Sequence, residues 1–239
     1  MPLLGVIFDF DGVIADTEPL HLKAYQDVLA NTSFTLNKET YYSDYLGFDD
    51  IGVFTSLAKN QGITLDDVEL IKLVELKSRR FASLLKSNQI LFPGTETCIK
   101  QLASFFPLAI SSGALLTEIE TILNKTKLRH YFKVIVSAND TKRSKPEPDP
   151  YLLAVELLTG RRDLPSQNDF IAVEDSLWGI QSAKRAGLKC IGVTHSYPAD
   201  ALIEADLIVP NLFTLKPDLL EQLCARINNS RQPNLIKDF

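Results

Sequence analysis

The second half of the chain alternates between short apolar runs and amphipathic segments. Apolar runs of this length predict buried strands, and apolar residues at helical spacing predict helices packed on one face. The predicted strands are 107–111, 133–137, 170–173, 189–193 and 207–209, and the predicted helices are 95–104, 115–125, 150–158 and 178–186. Strands that alternate with helices are typical of a parallel sheet covered on both faces.

The first part of the chain interrupts this pattern. An apolar run at 3–8 predicts one more strand, but residues 15–90 contain no convincing strand and predict only helices, at 19–31, 37–45, 50–60 and 66–85. The fold class we expect is therefore α/β, a doubly wound parallel sheet with a Rossmann-like core. Residues 1–14 and 91–239 would form the catalytic core domain, and residues 15–90 an inserted α-helical cap domain.

Composition and charge narrow the possible partners. The 239 residues carry a net charge of −5 and no basic run, which disfavours a nucleic-acid surface. No apolar stretch approaches the ~18 residues of a membrane span, and the N-terminus shows no signal-peptide pattern. The three cysteines are odd in number and lack metal spacing, so they read as core residues in a reducing compartment. We expect a cytoplasmic monomer.

Two carboxylates, Asp9 and Asp11, come directly after the first apolar run. Like charges at close range repel and burial raises the pKa of a carboxyl group, so such a pair is costly without a partner. Mg²⁺ removes that cost because it binds carboxylate and carbonyl oxygens. In a strand the two positions point to the same side, and Gly12 then lets the chain turn away. This pattern predicts a metal site.

Polar groups also follow later strands. Ser112 and Gly113 could bind phosphate through a hydroxyl and backbone N–H groups, although Ser-Ser-Gly is also a common helix-entry turn. Lys145 is followed by three prolines that fix the backbone, which suits either a cation beside phosphate or a solvated helix entry.

A second acidic pair, Glu174 and Asp175, follows the apolar run at 170–173. Asp175 could also serve as the N-cap of the next helix, and the two roles are compatible. Because ligands of such sheets bind beyond the carboxyl ends of the strands, all four polar clusters are expected at one edge.

Together these clusters resemble the ordered motifs of the haloacid dehalogenase-like superfamily. The chain is most similar to the branch with a helical cap that contains β-phosphoglucomutase and CbbY-like small-molecule phosphatases, and the resemblance covers nearly the whole chain. The matching segments are DFDGV at 9–13, Ser112, SKPEPD at 144–149, EDS at 174–176 and GIQSAKRAG at 179–187.

The resemblance implies a role for each motif residue. Asp9 would be the nucleophile that accepts the phosphoryl group, and Asp11 the general acid and base. Ser112 and Lys145 would complete the catalytic set and bind the phosphoryl oxygens, with Gly113 beside them. The implied metal ligands for Mg²⁺ are Asp9, Asp11 (through its carbonyl as well), Glu174 and Asp175.

In the cap, the resemblance implies that His21 and Gly47 bind substrate, although a lone histidine on an amphipathic helix is often plain surface. Asp50 stands where the mutase has an arginine that grips a second phosphate. An acid there would repel a phosphate dianion and favours a plain phosphatase. Other cap cations could take over this role, namely Lys77, Arg79 or Arg80.

The preferred interpretation is a Mg²⁺-dependent phosphatase that hydrolyses a small phosphorylated metabolite, such as a sugar phosphate, through an aspartyl-phosphate. The alternative is a β-phosphoglucomutase-type sugar-phosphate mutase. A non-catalytic binding module and a haloacid dehalogenase are weaker readings, because all the motif acids are present. The expected partner is a small phosphomonoester, without nucleic acid or membrane.

Overall fold

The computed structural model describes residues 3–45, 48–87, 90–160, 169–225 and 234–235. The chain divides into two compact units: Met1–Asp16 with Leu91–Phe239, and Thr17–Ile90. These limits lie within two residues of the domain boundaries expected at 14/15 and 90/91. We call the first unit the core and the second the cap.

The core is built on a parallel seven-stranded sheet with the order β3-β2-β1-β4-β5-β6-β7. Its strands are β1 Gly5–Phe8, β2 Leu108–Ser111, β3 Phe132–Val136, β4 Phe170–Glu174, β5 Lys189–Val193, β6 Leu207–Val209 and β7 Asn234–Leu235. The expected doubly wound α/β fold is confirmed, and every predicted strand is present. The two-residue β7, paired in parallel with β6, was not predicted.

The described helices are α1 Glu18–Leu29, α2 Lys38–Thr40, α3 Asp50–Gln61, α4 Asp67–Ser87, α5 Thr95–Ala103, α6 Leu116–Lys125, α7 Asp149–Thr159, α8 Leu177–Arg185 and α9 Pro217–Ala225. The helix expected at 37–45 is instead the short α2 followed by a π-helical segment, Tyr41–Tyr45, and α9 was not predicted. Among the described residues, no helix has the length and apolar character needed to cross a membrane.

Strand β1 lies at the centre of the sheet, between β2 and β4. Val6 pairs with Leu108 on one side, and Phe8 pairs with Val173 on the other. All residues of β1, β2 and β4 are buried, which explains their continuous apolar sequences. The order of the strands therefore brings the carboxyl ends of the three motif-bearing strands side by side.

One core cluster packs the sheet against α7 and α8. Tyr151 and Ala154 from α7 and Ile180 and Ala183 from α8 are buried there together with strand residues such as Ala172. This packing fixes α7 and α8. The loop that carries Lys145 ends at the start of α7, and the short segment after Glu174 ends at the start of α8.

The cap has its own apolar cluster, formed by residues from α1, the π-helical segment, α3 and α4, including Tyr25, Tyr41 and Phe54. Helix α3 is well delimited. The Asp49 side chain accepts a hydrogen bond from the Gly52 N–H at 2.6 Å, and Gly62 ends the helix with a φ of +66°.

Candidate active site

Asp9 is the first residue beyond β1, and its side chain lies in a nearly closed environment. The residue is 8% exposed, and its N–H donates to the Val173 carbonyl at 2.9 Å. The turn that follows needs Gly12, which has a φ of +80°; a Cβ there would lie 1.9 Å from Asp175 Oδ2. Because Gly12 has no side chain, the turn after Asp9 can lie against the Asp175 carboxylate.

Three carboxylates meet at this edge of the sheet. One oxygen from each of Asp9, Glu174 and Asp175 lies within 4.8 Å of the others, and all three residues are buried. Burial, opposed by Lys145 and reinforced by Glu174, raises the pKa of Asp9 to about 7. Burial and the charges of Asp9 and Glu174 raise the pKa of Asp175 well above its usual value. Clustered carboxylate oxygens of this kind fit a divalent cation.

Lys145 connects two of these acids. Its Nζ donates to Asp9 Oδ1 at 2.7 Å, to Glu174 Oε1 at 2.6 Å and to the Ser111 carbonyl at 2.9 Å. Burial works against its charge, but the carboxylates of Asp9 and Glu174 outweigh burial and raise the pKa of the ammonium. The lysine is therefore charged and fixed beside Asp9.

Glu174 is fully buried and held by several groups. Besides Lys145, the Tyr151 hydroxyl donates to Oε1 at 2.6 Å, and the Ser176 hydroxyl donates to Oε2 at 3.3 Å. A Cβ at Gly179 would lie 1.9 Å from Oε2, so the glycine makes room for this carboxylate. Sequence reasoning missed Tyr151, because on α7 it reads as an ordinary core position.

Ser112 is 4% exposed and stabilises its own turn: its N–H donates to the Val136 carbonyl at 2.9 Å, and its Oγ accepts from the Ala114 N–H at 3.0 Å. Gly113 is exposed, with open space around the position of a Cβ. The Ser111 carbonyl links this turn to the acidic cluster, because it accepts a hydrogen bond from Lys145.

One expectation about the acidic pairs needs correction, and another loses its geometric argument. Because β1 ends at Phe8, the alternation of a strand does not extend to Asp11, and it gives no reason for the side chains of Asp9 and Asp11 to point the same way. The role of Asp11 as a metal ligand stays a prediction. The N-cap of α8 is Ser176, whose Oγ accepts from the Gly179 N–H at 3.1 Å, and not Asp175. Asp175 is therefore left to the acidic cluster.

The loop after β5 contributes two residues that sequence reasoning missed. The Ser196 hydroxyl donates to Asp175 Oδ2, and His195 Nδ1 lies 2.9 Å from the Gly12 carbonyl. A carbonyl only accepts, so Nδ1 carries the proton, and burial lowers the pKa of His195. The signal was available, because this loop also lies at the carboxyl end of a strand.

In the cap, His21 belongs to a partly buried polar cluster. Lys77 is 1% exposed, and its Nζ lies 2.7 Å from His21 Nδ1 and 2.6 Å from Asp50 Oδ1. Tyr25 donates to the same Asp50 oxygen at 2.6 Å. Burial, reinforced by the charge of Lys77, lowers the pKa of His21 well below its usual value. Gly47 lies outside the described residues.

This geometry pairs the Asp50 carboxylate with a cation of the cap. Its charge faces Lys77, and the other cap cations considered above are paired as well: Arg79 with Glu75 at 3.5 Å, and Arg80 with Asp27 at 2.7 Å. The last two pairs are exposed and weak. The cations considered as substitutes for the mutase arginine are thus each matched by a carboxylate.

The chain is similar in sequence to known proteins over most of its length. Residues 6–193 match the family model described as haloacid dehalogenase-like hydrolase. A phosphorylated carbohydrates phosphatase from Thermotoga maritima is 34% identical over 85% of this chain and 92% of its own length. Fructose-1-phosphate phosphatase YqaB from Escherichia coli is 30% identical over 79% of this chain and 95% of its own length.

Solved structures show the same fold. The crystal structure of CbbY from Rhodobacter sphaeroides in complex with phosphate has a TM-score of 0.79 and 25% identity, covering 89% of this chain and 96% of that one. The chain therefore belongs to the haloacid dehalogenase-like hydrolase family. Both the family resemblance and the prediction of a hydrolytic enzyme of the phosphatase type are confirmed.

Proposed function

We propose that the protein is a Mg²⁺-dependent phosphatase that hydrolyses a small phosphorylated metabolite, of the sugar-phosphate class, through an aspartyl-phosphate on Asp9. The observation that carries the proposal is the position of Lys145, whose ammonium bridges Asp9 and Glu174 in a cluster of three buried carboxylates. The names of the Thermotoga maritima and Escherichia coli relatives support the substrate class.

In the first half of the reaction, an oxygen of Asp9 forms a bond to phosphorus while the bond from phosphorus to the substrate oxygen breaks. Asp11 gives a proton to the leaving oxygen, so the product leaves as an alcohol. In the second half, a water molecule gives its proton to Asp11 and attacks the same phosphorus. The bond to Asp9 then breaks, and inorganic phosphate leaves.

The remaining residues stabilise charge. The Lys145 ammonium offsets negative charge on the phosphoryl oxygens, and the Ser112 hydroxyl and the backbone N–H of Gly113 donate to them. Uncatalysed phosphomonoester hydrolysis is so slow that an enzyme must lower the barrier by on the order of 20 kcal/mol or more. One nucleophile cannot supply that, so charge neutralisation by fixed groups must contribute a large share.

The acidic cluster suits the metal that the family implies. Asp9, Glu174 and Asp175, with the backbone carbonyl of Asp11, would hold Mg²⁺. When bound, the ion neutralises charge on the phosphoryl oxygens and keeps Asp9 ionised at neutral pH. Burial and mutual repulsion raise the pKa values of Asp9 and Asp175, and a bound cation would oppose both effects.

The cap favours a monophosphate over the bisphosphate chemistry of a mutase. A second phosphate group needs unmatched positive charge, and the Lys77 ammonium is already paired with Asp50. A variant of CbbY has nevertheless been solved in complex with xylulose-1,5-bisphosphate. A test of substrate class must therefore include bisphosphates.

The experiment is a phosphate-release assay over a panel of sugar monophosphates and bisphosphates, with Mg²⁺ and with chelator. Wild type is compared with Asp9→Asn and with Asp200→Asn, a matched exchange of an exposed core acid. We expect Mg²⁺-dependent release that Asp9→Asn abolishes and Asp200→Asn preserves. Unchanged release by Asp9→Asn would contradict the proposal, and isomerised hexose phosphate without free phosphate would establish the mutase.

A further inference from the structure

We propose that Ser196, in the loop after β5, is a positioning residue that holds Asp175 in the orientation needed to bind a divalent cation. The inference rests on the proposed function in one respect, namely that the acidic cluster of Asp9, Glu174 and Asp175 binds Mg²⁺. It assigns a role to a part of the chain that lies outside the four sequence motifs.

The contact itself is direct. The Ser196 hydroxyl donates to Asp175 Oδ2, and Asp175 is 5% exposed. The other two acids of the cluster are held by Lys145, which donates to both. The Ser196 hydroxyl is thus a direct donor to the third carboxylate of the cluster. The loop therefore holds the Asp175 carboxylate by a hydrogen bond, as Lys145 holds the carboxylates of Asp9 and Glu174.

The loop is anchored on several sides, so Ser196 is a fixed donor. The Thr194 N–H donates to the Val209 carbonyl on β6 at 3.0 Å. The next residue, His195, donates to the Gly12 carbonyl at 2.9 Å and stacks on Phe92, with ring centroids 4.0 Å apart and an interplanar angle of 18°. These contacts fix the position of the loop.

Gly12 shows how closely the groups approach. A Cβ at this position would lie 1.9 Å from Asp175 Oδ2 and 2.8 Å from Ser196 Oγ. The turn after Asp9, the acid Asp175 and the hydroxyl are thus packed together, and the absence of a side chain at Gly12 makes the hydrogen bond sterically possible.

The consequence for metal binding is specific. A hydroxyl that donates to one carboxylate oxygen fixes the side-chain torsion and leaves the other oxygen for a cation. Groups that orient metal ligands in this way typically change metal affinity by about 10- to 100-fold when they are removed. Loss of the Ser196 hydroxyl removes this restraint on the Asp175 carboxylate, which lies close to the carboxylates of Asp9 and Glu174 and is repelled by them.

The test measures Mg²⁺ binding to the full-length protein by isothermal titration calorimetry, without substrate. The variants are Ser196→Ala, which removes the hydroxyl, and Ser196→Thr, which keeps it. Ser104→Ala serves as a matched control, because that serine is exposed and its hydroxyl bonds only to a carbonyl of its own helix, as far as the described residues show. The melting temperature in chelator checks that each variant is folded.

We expect Ser196→Ala to raise the Kd for Mg²⁺ by about tenfold or more, with Ser196→Thr and Ser104→Ala within about threefold of wild type. A Kd for Ser196→Ala within threefold of wild type would overturn the inference. An equal loss in the alanine and threonine variants would also overturn it, because the hydroxyl would then be irrelevant. Wild-type protein without saturable Mg²⁺ binding would contradict the proposed metal site as well.

Discussion

The Lys77 ammonium lies 2.6 Å from the Asp50 carboxylate, and the lysine is 1% exposed whereas the aspartate is 25% exposed. The lysine of this ion pair is therefore buried within the cap, whereas the aspartate is partly exposed to solvent. Tyr25 donates to the same Asp50 oxygen, and its ring centroid lies 4.8 Å from the ammonium. This arrangement makes Asp50 a structural partner of Lys77.

Asp50→Asn should destabilise the cap, because it leaves a buried ammonium without its counter-charge. The expected loss in the free energy of unfolding is about 3 kcal/mol, as for other buried pairs that lose one partner. Urea unfolding followed by far-UV circular dichroism measures it. Asp27→Asn is the control, since its pairs with Lys23 and Arg80 are exposed and should contribute less than about 1 kcal/mol.

The double variant Asp50→Asn with Lys77→Met separates pairing from simple disruption. Removing both charges should cost less than the sum of the two single exchanges, with a coupling of about 1–3 kcal/mol. Strict additivity would mean that the two residues stabilise the cap independently, and the interpretation of Asp50 as a partner of Lys77 would then fail.

The sequence predicted the sheet well because each strand is a continuous apolar run, as burial on both faces requires. It also indicated that acids after buried strands would gather at one edge of the sheet, as Asp9, Glu174 and Asp175 do. It could not predict where the Asp11 side chain points, because β1 ends at Phe8 and the alternation of a strand does not extend to Asp11. The pairing of Asp50 with Lys77 joins residues 27 positions apart on α3 and α4, and no local pattern encodes such a contact.

The supporting residues were missed for a different reason. Tyr151 is one of several apolar positions on α7, and only the fold shows that its hydroxyl reaches Glu174. Ser196 lies in a loop without an apolar pattern, and its contact with Asp175 depends on the pairing of β4 with β5. Residues that hold other side chains in place are recognised from contacts, which a single sequence does not contain.

Gly179→Ala should impair the site from within α8. A Cβ at this position would lie 1.9–2.0 Å from three atoms of the Glu174 carboxyl group, so the carboxylate must move away from Lys145 or the helix must shift. We expect phosphatase activity to fall by about tenfold or more and stability by about 1–3 kcal/mol. Steady-state kinetics and urea unfolding measure the two effects.

The control is Gly160→Asn, at the end of α7, where the space around the glycine is open and asparagine tolerates the positive φ of 66°. This variant should keep activity within about twofold of wild type. If Gly179→Ala were as active as the control, Glu174 would not need its observed position for the reaction.

Tyr151→Phe should remove one hydrogen bond to the Glu174 carboxylate without changing the packing of the ring. Glu174 is fully buried, so the loss of a hydrogen bond from Tyr151 leaves a charged group less well satisfied, at a cost of about 1.5–3 kcal/mol. Urea unfolding of the metal-free protein measures this cost. Tyr131→Phe, another tyrosine of the core unit, is the matched control. A stability loss below about 0.5 kcal/mol would show that Lys145 and Ser176 satisfy Glu174 without the Tyr151 hydroxyl.

The stability of the metal-free protein should depend on pH through Asp9. Its pKa is raised from 3.8 to about 7, chiefly by burial, so the folded state retains a proton that the unfolded state has released. The stability that this proton contributes is complete below about pH 4 and is lost as the pH rises through about 7. Between about pH 5.5 and pH 8, the loss amounts to about 2 kcal/mol.

Thermal unfolding in chelator tests this, with Asp9→Asn as the comparison because an amide has no proton to lose. The melting temperature of wild type should fall more steeply towards pH 8 than that of the variant, and Mg²⁺ should restore it more at pH 8 than at pH 5.5, since protons and metal compete for the same oxygens. Parallel pH profiles for the two proteins would mean that Asp9 is ionised in the metal-free fold, and that Lys145 alone neutralises it.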